Sequence, residues 1–279
     1  MSKLRELAYQ VDPALWVREA LQIEPAPWQV DFLRAPRGAS IIALTARQVG
    51  KTTTAAWAIA HHMLFTPGGL NVVACPAQRQ SAEAVRRVRE NLAKVGAKLK
   101  SDNVYGLELE NGARVLALPG SDDSIRGLTV DGWIIADEAA RLTTDLISAL
   151  RPMPARRPQA RLAMLSTAYS RTDPFWTAWN NENPSWLRLK ATADIPGLFP
   201  PEFLAQERAE LGENDFNQEY LGIPGGGDLS PFSWDLYERA TQIHAPLVRP
   251  GTAFQPAAEA PATTVPNPFQ ALRLAGVVP

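Results

Sequence analysis

The sequence has few of the residues that build disulfides, zinc sites or membrane spans. Its 279 residues include one cysteine and three histidines, with no Cys-x-x-Cys pair, so a disulfide framework and a zinc site of that kind are excluded. No stretch approaches the roughly 20 apolar residues that a transmembrane helix needs, and the charged residues between Lys3 and Asp12 do not fit a signal peptide. We therefore expect a protein of a reducing cytosol that is neither membrane-bound nor secreted.

A strong charge of either sign is also lacking. There are 28 Lys and Arg against 29 Asp and Glu, which gives a net charge of −1. This balance gives no global sign of nucleic-acid binding and does not exclude it, because basic patches also occur on neutral proteins. The basic segment from Ser81 to Leu99 is predicted to be a helix, whose arginines are either a solvated face or part of a track for a phosphate backbone.

Hydrophobic patterning predicts an α/β fold. Apolar residues recur at helical spacing from Leu4 to Ile23, and Asn111-Gly112 between two apolar runs predicts a β-hairpin within residues 104–118. Short apolar runs typical of buried strands alternate with helical segments, which indicates a mainly parallel central sheet flanked by helices. The predicted strands are residues 40–44, 70–75, 132–136 and 161–165, and the predicted helices after the first two are 53–65 and 81–99.

The composition changes after Tyr220. Three consecutive glycines from Gly225 are typical of a flexible linker, and the remainder of the chain is rich in Pro and Ala with few charges. The length suits one main domain with an appendage. We expect a domain at residues 1–224, a linker with a short helix at 225–244 and a disordered tail at 245–279.

The first predicted strand leads into a loop with the chemistry of phosphate binding. It reads Thr45-Ala46-Arg47-Gln48-Val49-Gly50-Lys51-Thr52, so Gly-Lys-Thr is present while Thr45 occupies the position of the usual leading glycine. Successive backbone N–H groups from Arg47 to Thr53 are expected to wrap the β-phosphate of ATP. Lys51 is expected to place its charge between the β- and γ-phosphates, and the Thr52 hydroxyl to ligate Mg²⁺. The alternative, an ordinary helix start, does not explain the strand before the loop.

The third predicted strand ends in two carboxylates, Asp137 and Glu138. Asp137 is expected to bind Mg²⁺ through water, and Glu138 to polarise the water that attacks the γ-phosphate. The alternative is an acidic helix N-terminus stabilised by the helix dipole. The apolar residues 133–136 immediately before the pair favour the active-site interpretation.

Two arginines are candidates for neutralising charge that develops on the γ-phosphate: Arg47 inside the loop and Arg126 in the segment Ser124–Leu128. For each, the alternative is a surface or fold-stabilising arginine. Trp28-Gln29, behind a Pro-rich turn, places a Gln amide where it could meet the adenine edge. Otherwise this pair is a core Trp beside a surface Gln.

In their order and spacing, these motifs resemble the large terminase subunit of tailed bacteriophages. The resemblance spans roughly residues 15–225 and is carried by Pro27-Trp28-Gln29, residues 46–52, residues 124–128, residues 134–140 and Ser166-Thr167-Ala168. It includes Gln218-Glu219-Tyr220-Leu221, which is similar to the family's segment that closes the ATPase domain. It implies a P-loop NTPase of the ASCE, RecA-like type that drives double-stranded DNA through a portal into a procapsid. It further implies a homo-oligomeric ring on the portal, a small terminase subunit as partner, and a location in the host cytoplasm.

Position by position, the resemblance makes Gln29 the adenine contact, Arg47 the arginine of a terminase Walker A loop and Arg126 a finger that reaches a neighbouring subunit's ATP. It makes Ser166, Thr167 and Ala168 a coupling motif, which senses the γ-phosphate and passes its loss to the DNA-gripping surface.

One departure from the family concerns the chain after Leu221, where full-length large terminases continue into an RNase H-like nuclease. Too few residues follow here for such a domain, so we expect no nuclease activity. Two alternatives to a packaging motor stay open. One is a helicase-like translocase on another nucleic acid, and the other is a fragment that binds nucleotide or DNA without packaging.

Overall fold

The computed structural model describes residues 2–118, 127–181 and 185–225. The predicted finger Arg126, the predicted short helix within 225–244 and the predicted tail 245–279 lie outside these ranges. No helix in the described ranges is long and apolar enough to cross a membrane. The helices are α1 Lys3–Val11, α2 Pro13–Ala20, α3 Pro27–Leu33, α4 Lys51–Phe65, α5 Gln78–Lys94, α6 Thr144–Leu150, α7 Pro174–Asn180, α8 Pro201–Leu211 and α9 Glu213–Phe216.

One sheet of eight strands organises the described domain. Its strands are β1 Ser40–Thr45, β2 Leu70–Ala74, β3 Leu99–Asn103, β4 Gly106–Leu109, β5 Arg114–Ala117, β6 Trp133–Asp137, β7 Arg161–Ser166 and β8 Trp186–Ala191. Their order is β3-β4-β5-β2-β6-β7-β1-β8. All neighbouring pairs from β5 to β8 are parallel, and only the pairs that involve β4 are antiparallel. The predicted mainly parallel α/β fold with a β-hairpin is confirmed.

Both faces of the sheet are covered, as the apolar strand runs predicted. Ile41 and Ala43 of β1 face one buried cluster, together with α3, α4 and α5, while Ile42 and Leu44 face the other, together with α6 and α7. Because a strand that is buried on both sides has no polar face, its sequence reads as a continuous apolar run.

The helical spacing from Leu4 to Ile23 is confirmed, but the chain forms two helices there, α1 and α2. Asp12 ends α1 and caps α2, and its carboxylate accepts hydrogen bonds from the N–H groups of Ala14 and Leu15 at 3.0 and 3.3 Å. Pro13 takes the first position of α2, where its missing N–H costs nothing. This Asp-Pro pair therefore breaks a pattern whose periodicity is otherwise helical.

The basic helix is also shorter at its end than predicted. α5 ends at Lys94, Gly96 adopts the left-handed conformation with φ of 68°, and Leu99 already belongs to β3. The loop at Asn111-Gly112 does connect two antiparallel strands, β4 and β5, with Gly112 at φ of 81°. The predicted hairpin is confirmed, and β3 extends it by one further strand.

The order of the strands brings the chemistry-bearing residues to one edge. β7 lies between β1 and β6, and all three are parallel. The phosphate loop after β1, the carboxylates after β6 and the Ser166–Ala168 triplet after β7 are consequently neighbours at the carboxyl ends of the strands. Ligands of open α/β sheets bind at this edge.

Candidate active site

The phosphate loop is a tight turn between β1 and the N-terminus of α4. Gln48 and Gly50 adopt the left-handed conformation, with φ of 62° and 88°, and these two residues curl the chain back onto the helix. Lys51 is 7% exposed, and its Nζ donates to the carbonyl of Ala46 at 3.3 Å across the loop. The loop, the free N–H groups of a 15-residue helix and the Lys51 ammonium together form a positive site suited to phosphate.

Thr52 and Asp137 provide the oxygen atoms next to this loop. The Thr52 hydroxyl donates to Asp137 Oδ2 at 2.5 Å, although the two residues belong to different elements, α4 and β6. Asp137 is buried, and burial is the main reason that the pKa of its carboxyl is raised, against the opposing effect of the Thr52 hydrogen bond. A hydroxyl and a carboxylate of this kind fit Mg²⁺, which prefers hard oxygen ligands and would offset the cost of the buried charge.

Glu138 directly follows β6 and lies next to the phosphate loop. Its backbone is left-handed, with φ of 54°, which is uncommon for a residue other than glycine and often marks a functional position. Its N–H donates to Asp137 Oδ1 at 3.1 Å, and its Oε1 lies 3.8 Å from Lys51 Nζ. The Glu138 side chain is about one-third exposed, so water has access to it.

The structure places Gln29 against the phosphate loop rather than in an open position. Its side-chain amide donates to the Thr54 hydroxyl at 2.9 Å, and its Oε1 accepts from the Ala26 N–H at 2.8 Å. A Cβ built on Gly50 would lie 2.9 Å from its Nε2, which shows how closely Gln29 packs on the loop. An adenine contact would require Gln29 to exchange one of these partners, and that role stays a prediction.

The roles of the two predicted arginines both stay predictions. Arg47 is exposed, and its backbone N–H donates to the carbonyl of Glu219 at 2.6 Å. That N–H is therefore occupied, whereas the guanidinium is exposed to solvent. Arg126 lies outside the described residues, so its role as a finger stays a prediction.

The Ser166–Ala168 triplet is buried between the loop and the carboxylates. Ser166 accepts two hydrogen bonds: its carbonyl from the Thr45 hydroxyl at 3.4 Å and its Oγ from the Ala140 N–H at 3.2 Å. Thr167 and Ala168 are 3% and 1% exposed. The triplet thus touches both neighbouring motifs, and its coupling role stays a prediction.

A cleft of about 620 Å³ opens beside Thr52, Asp137 and Glu138, and the first half of α5 lines its other side. Arg87 of α5 donates to the Thr53 hydroxyl at 3.0 Å, directly next to Thr52. The sequence predicted the basic helix but not this contact. Helical spacing puts Glu83 and Arg87 on one face, yet only the packing of α5 on α4 shows that the face meets the phosphate loop.

The sequence matches a family model described as the N-terminal part of the terminase large subunit, T4-like virus type, over residues 42–239. The chain belongs to this terminase family. Among curated protein sequences, none shows significant similarity to it.

Solved structures of phage large terminases share the terminase fold described above. The ATPase domain of the large terminase of Thermus phage P74-26 is 20% identical with a TM-score of 0.65, and the match covers 76% of this chain and 98% of that one. The large terminase of the thermophilic bacteriophage D6E in complex with ADP is 16% identical with a TM-score of 0.54, covering 77% and 52%. This terminase chain thus spans about half the length of the D6E protein. The complex of the D6E protein with ATP-gamma-S is 14% identical with a TM-score of 0.55, and the match covers 77% of this chain and 51% of that one.

Proposed function

We propose that this chain is an ATP-hydrolysing motor domain that moves double-stranded DNA during the packaging of a viral genome into a procapsid. One observation carries the proposal: the phosphate loop and the carboxylates after β6 meet through the 2.5 Å contact between Thr52 and Asp137. A loop suited to phosphate, oxygen ligands suited to Mg²⁺ and a carboxylate open to water are the parts that ATP hydrolysis needs. Membership of the terminase family supplies the DNA-packaging context.

The residues of the loop bind and orient the nucleotide. The backbone N–H groups from Gln48 to Thr53 hold phosphate oxygens, and Lys51, already facing Glu138 at 3.8 Å, carries the charge that binds the γ-phosphate. Thr52 and Asp137 hold Mg²⁺, which when bound neutralises charge on the phosphate oxygens.

Glu138 has the role of orienting water and accepting its proton. A carboxylate acts as a base only if it is ionised, exposed to water and held in a fixed direction. Glu138 meets the second condition through its exposure, and its Oε1 lies 3.8 Å from the Lys51 ammonium. Its left-handed backbone fixes where the side chain leaves the strand.

The basic face of α5 is the proposed contact with DNA. Arg86 forms ion pairs with Glu83 and Glu90, and Arg89 forms one with Asp102, so part of the positive charge is paired within the domain. Arg79 at the start of α5 lines the same cleft and has no ion pair among the described residues. A duplex would exchange these exposed pairs for phosphate contacts at small cost, because exposed ion pairs contribute little.

The remaining roles complete a packaging motor. Ser166, Thr167 and Ala168 sense loss of the γ-phosphate, Gln29 contacts adenine, and Arg47 and Arg126 stabilise charge on the phosphate, Arg126 in the neighbouring subunit. The partners are the portal protein, the small terminase subunit and further copies in a ring. The motor would work in the host cytoplasm and bind the procapsid portal transiently. The lack of nuclease activity also stays a prediction.

ATP turnover by the purified chain, with and without duplex DNA, tests this function. Lys51→Ala should abolish nucleotide binding and turnover, and Glu138→Gln should abolish turnover while ADP still binds. Lys98→Ala and Glu110→Gln change exposed residues of the same types away from the loop and serve as matched controls. Full turnover in Glu138→Gln would contradict the catalytic assignment. Binding without turnover in the unaltered chain would favour a nucleotide-binding module instead.

A further inference from the structure

The residues that follow α9 have no part in the chemistry proposed above, although they lie at the nucleotide edge of the sheet. We call residues 217–225 the closing segment, which consists of the π-helix Asn217–Leu221 and the four residues after it. π-Helical turns are rare and occur frequently at functional sites.

The closing segment is firmly attached to the domain. Tyr220 is fully buried and stacks on Phe216 at 5.2 Å between ring centroids. Its carbonyl accepts from the N–H of Ala193, after β8, at 2.7 Å, and its hydroxyl donates to Glu207 of α8 at 2.6 Å. These contacts hold the segment without help from the Glu219 side chain.

Two motifs of the active site are bonded to the segment through its backbone or its amides. The carbonyl of Glu219 accepts from the N–H of Arg47 in the phosphate loop at 2.6 Å. The side-chain amide of Gln218 donates to the carbonyl of Tyr169, the residue directly after the Ser166–Ala168 triplet. The phosphate loop and the residue after the Ser166–Ala168 triplet are therefore bonded to adjacent residues of the segment, Glu219 and Gln218.

The Glu219 carboxylate makes a third connection. Its Oε1 lies 3.5 Å from Nη2 of Arg141, whose guanidinium also lies 4.5 Å above the ring of Tyr169. The Glu219 side chain is 18% exposed and that of Arg141 is 45% exposed, so solvent screens this pair in part. The backbone N–H of Arg141 in turn donates to the carbonyl of Glu138 at 2.9 Å.

These contacts form a closed ring of interactions around the site. It runs from Arg47 to the carbonyl of Glu219, from the Glu219 carboxylate to Arg141, from the N–H of Arg141 to Glu138, and from Glu138 back to Lys51 of the loop at 3.8 Å. Glu219 joins the two parts of this chain of contacts: its carbonyl binds the phosphate loop, and its carboxylate binds the segment after β6.

We propose that Glu219 is a positioning residue that couples the conformation of the phosphate loop to that of Glu138, acting through Arg141. The proposal rests on the ATPase function proposed above. Coupling through contiguous contacts requires an element with two arrangements, and the left-handed Glu138 turn is held against its intrinsic preference by such contacts. Removal of the carboxylate releases Arg141 and with it the backbone that aims Glu138, whereas the bond from Arg47 to the Glu219 carbonyl persists.

Glu219→Gln is the decisive variant, because it removes the charge and keeps the shape and the backbone bond. We expect kcat for ATP to fall about tenfold while KM changes less than about twofold, since binding depends on the loop and orientation of water depends on Glu138. Arg141→Gln should have the same effect, and the double variant should be no worse than either single variant. Glu213→Gln is the matched control, because the pair Arg208–Glu213 has the same 3.5 Å separation but is exposed and touches no motif.

Wild-type values in Glu219→Gln, additive losses in the double variant, or an equal loss in Glu213→Gln would overturn the proposal. So would a loss of ATP binding and thermal stability together with kcat, because that pattern describes a purely structural residue.

A second measurement does not depend on turnover. Hydrogen exchange is followed at residues 217–221 with and without ATP-gamma-S. In the unaltered chain the nucleotide should slow exchange there, and in Glu219→Gln this protection should be lost at a nucleotide concentration that still saturates the loop. Protection that is absent from the unaltered chain, or unchanged in the variant, would contradict the coupling. If the unaltered chain shows protection but no turnover, the ATPase proposal fails while the coupling stands.

Discussion

Acid is expected to loosen the attachment of α1 and α2 through His61. This histidine lies on α4, and its Nε2 is 2.7 Å from the carbonyl of Tyr9, where its neutral form donates a hydrogen bond. The ring also contacts the edge of Trp16 and the ring of Phe65, at 5.7 and 4.8 Å between centroids. Burial is the main reason that the pKa of His61 falls from 6.5 to about 4.

The sign and size of the effect follow from the difference in proton binding. A histidine whose pKa is lower in the folded chain than in the unfolded chain binds fewer protons when folded, so the free energy of unfolding decreases as the pH falls from about 6.5 toward 4. Between pH 7 and pH 5, the pKa of about 4 for His61 corresponds to a loss of about 2 kcal/mol in the free energy of unfolding.

The assay is urea unfolding followed by tryptophan fluorescence at both pH values. The His61→Gln variant keeps a side-chain donor for the Tyr9 carbonyl but does not titrate. The unaltered chain should lose about 2 kcal/mol more than this variant between pH 7 and pH 5, since the carboxylates contribute equally to both. Equal losses in the two proteins would refute the assignment of a buried, neutral His61.

Three further predictions concern the loop, the metal site and the core. Gly50→Ala, at φ of 88° with a tight contact to its new Cβ, should weaken ADP binding at least tenfold in fluorescence titrations, whereas Gly68→Ala, at φ of 74° with open space, should leave binding unchanged. Asp137→Asn should raise the melting temperature in EDTA, because it removes a buried carboxyl whose pKa is raised by burial. The same variant should lose Mg²⁺-dependent turnover, and a lower melting temperature would count against the prediction. Phe32 is fully buried and stacks on Trp133 at 5.1 Å between ring centroids, so Phe32→Ala should lower the free energy of unfolding in urea by about 3–5 kcal/mol. A loss below about 1 kcal/mol would contradict this packing.

The sequence was informative wherever one short pattern carries both structure and chemistry. The apolar run of β1 followed by Gly50-Lys51-Thr52 predicted a strand, a phosphate loop and a helix together, and the structure has all three. β8 was missed because its alternating burial leaves polar residues inside a short run, although Asn183-Pro184 before it is a turn signal. The division between α1 and α2 had a readable signal in Asp12-Pro13, which the helical periodicity on both sides outweighed.

The rest of the site depends on contacts between residues that are distant in the sequence. Nothing about Glu219 in the sequence shows that its carbonyl binds the phosphate loop and its carboxylate the segment after β6. The same is true of Arg87 and Thr53, which meet only because α5 packs on α4. Composition and periodicity describe each element alone, whereas such pairings follow from the order of the strands.

The position of β1 inside the sheet also has a consequence for synthesis of the chain. Ser40 pairs with Leu162 of β7 on one side and Trp186 of β8 on the other, so both neighbours of β1 leave the ribosome over a hundred residues later. During that interval an apolar strand with two unpaired edges is exposed, a state prone to association with other chains. Yield in the host should therefore depend on chaperones that shield the nascent β1 until β8 has been translated.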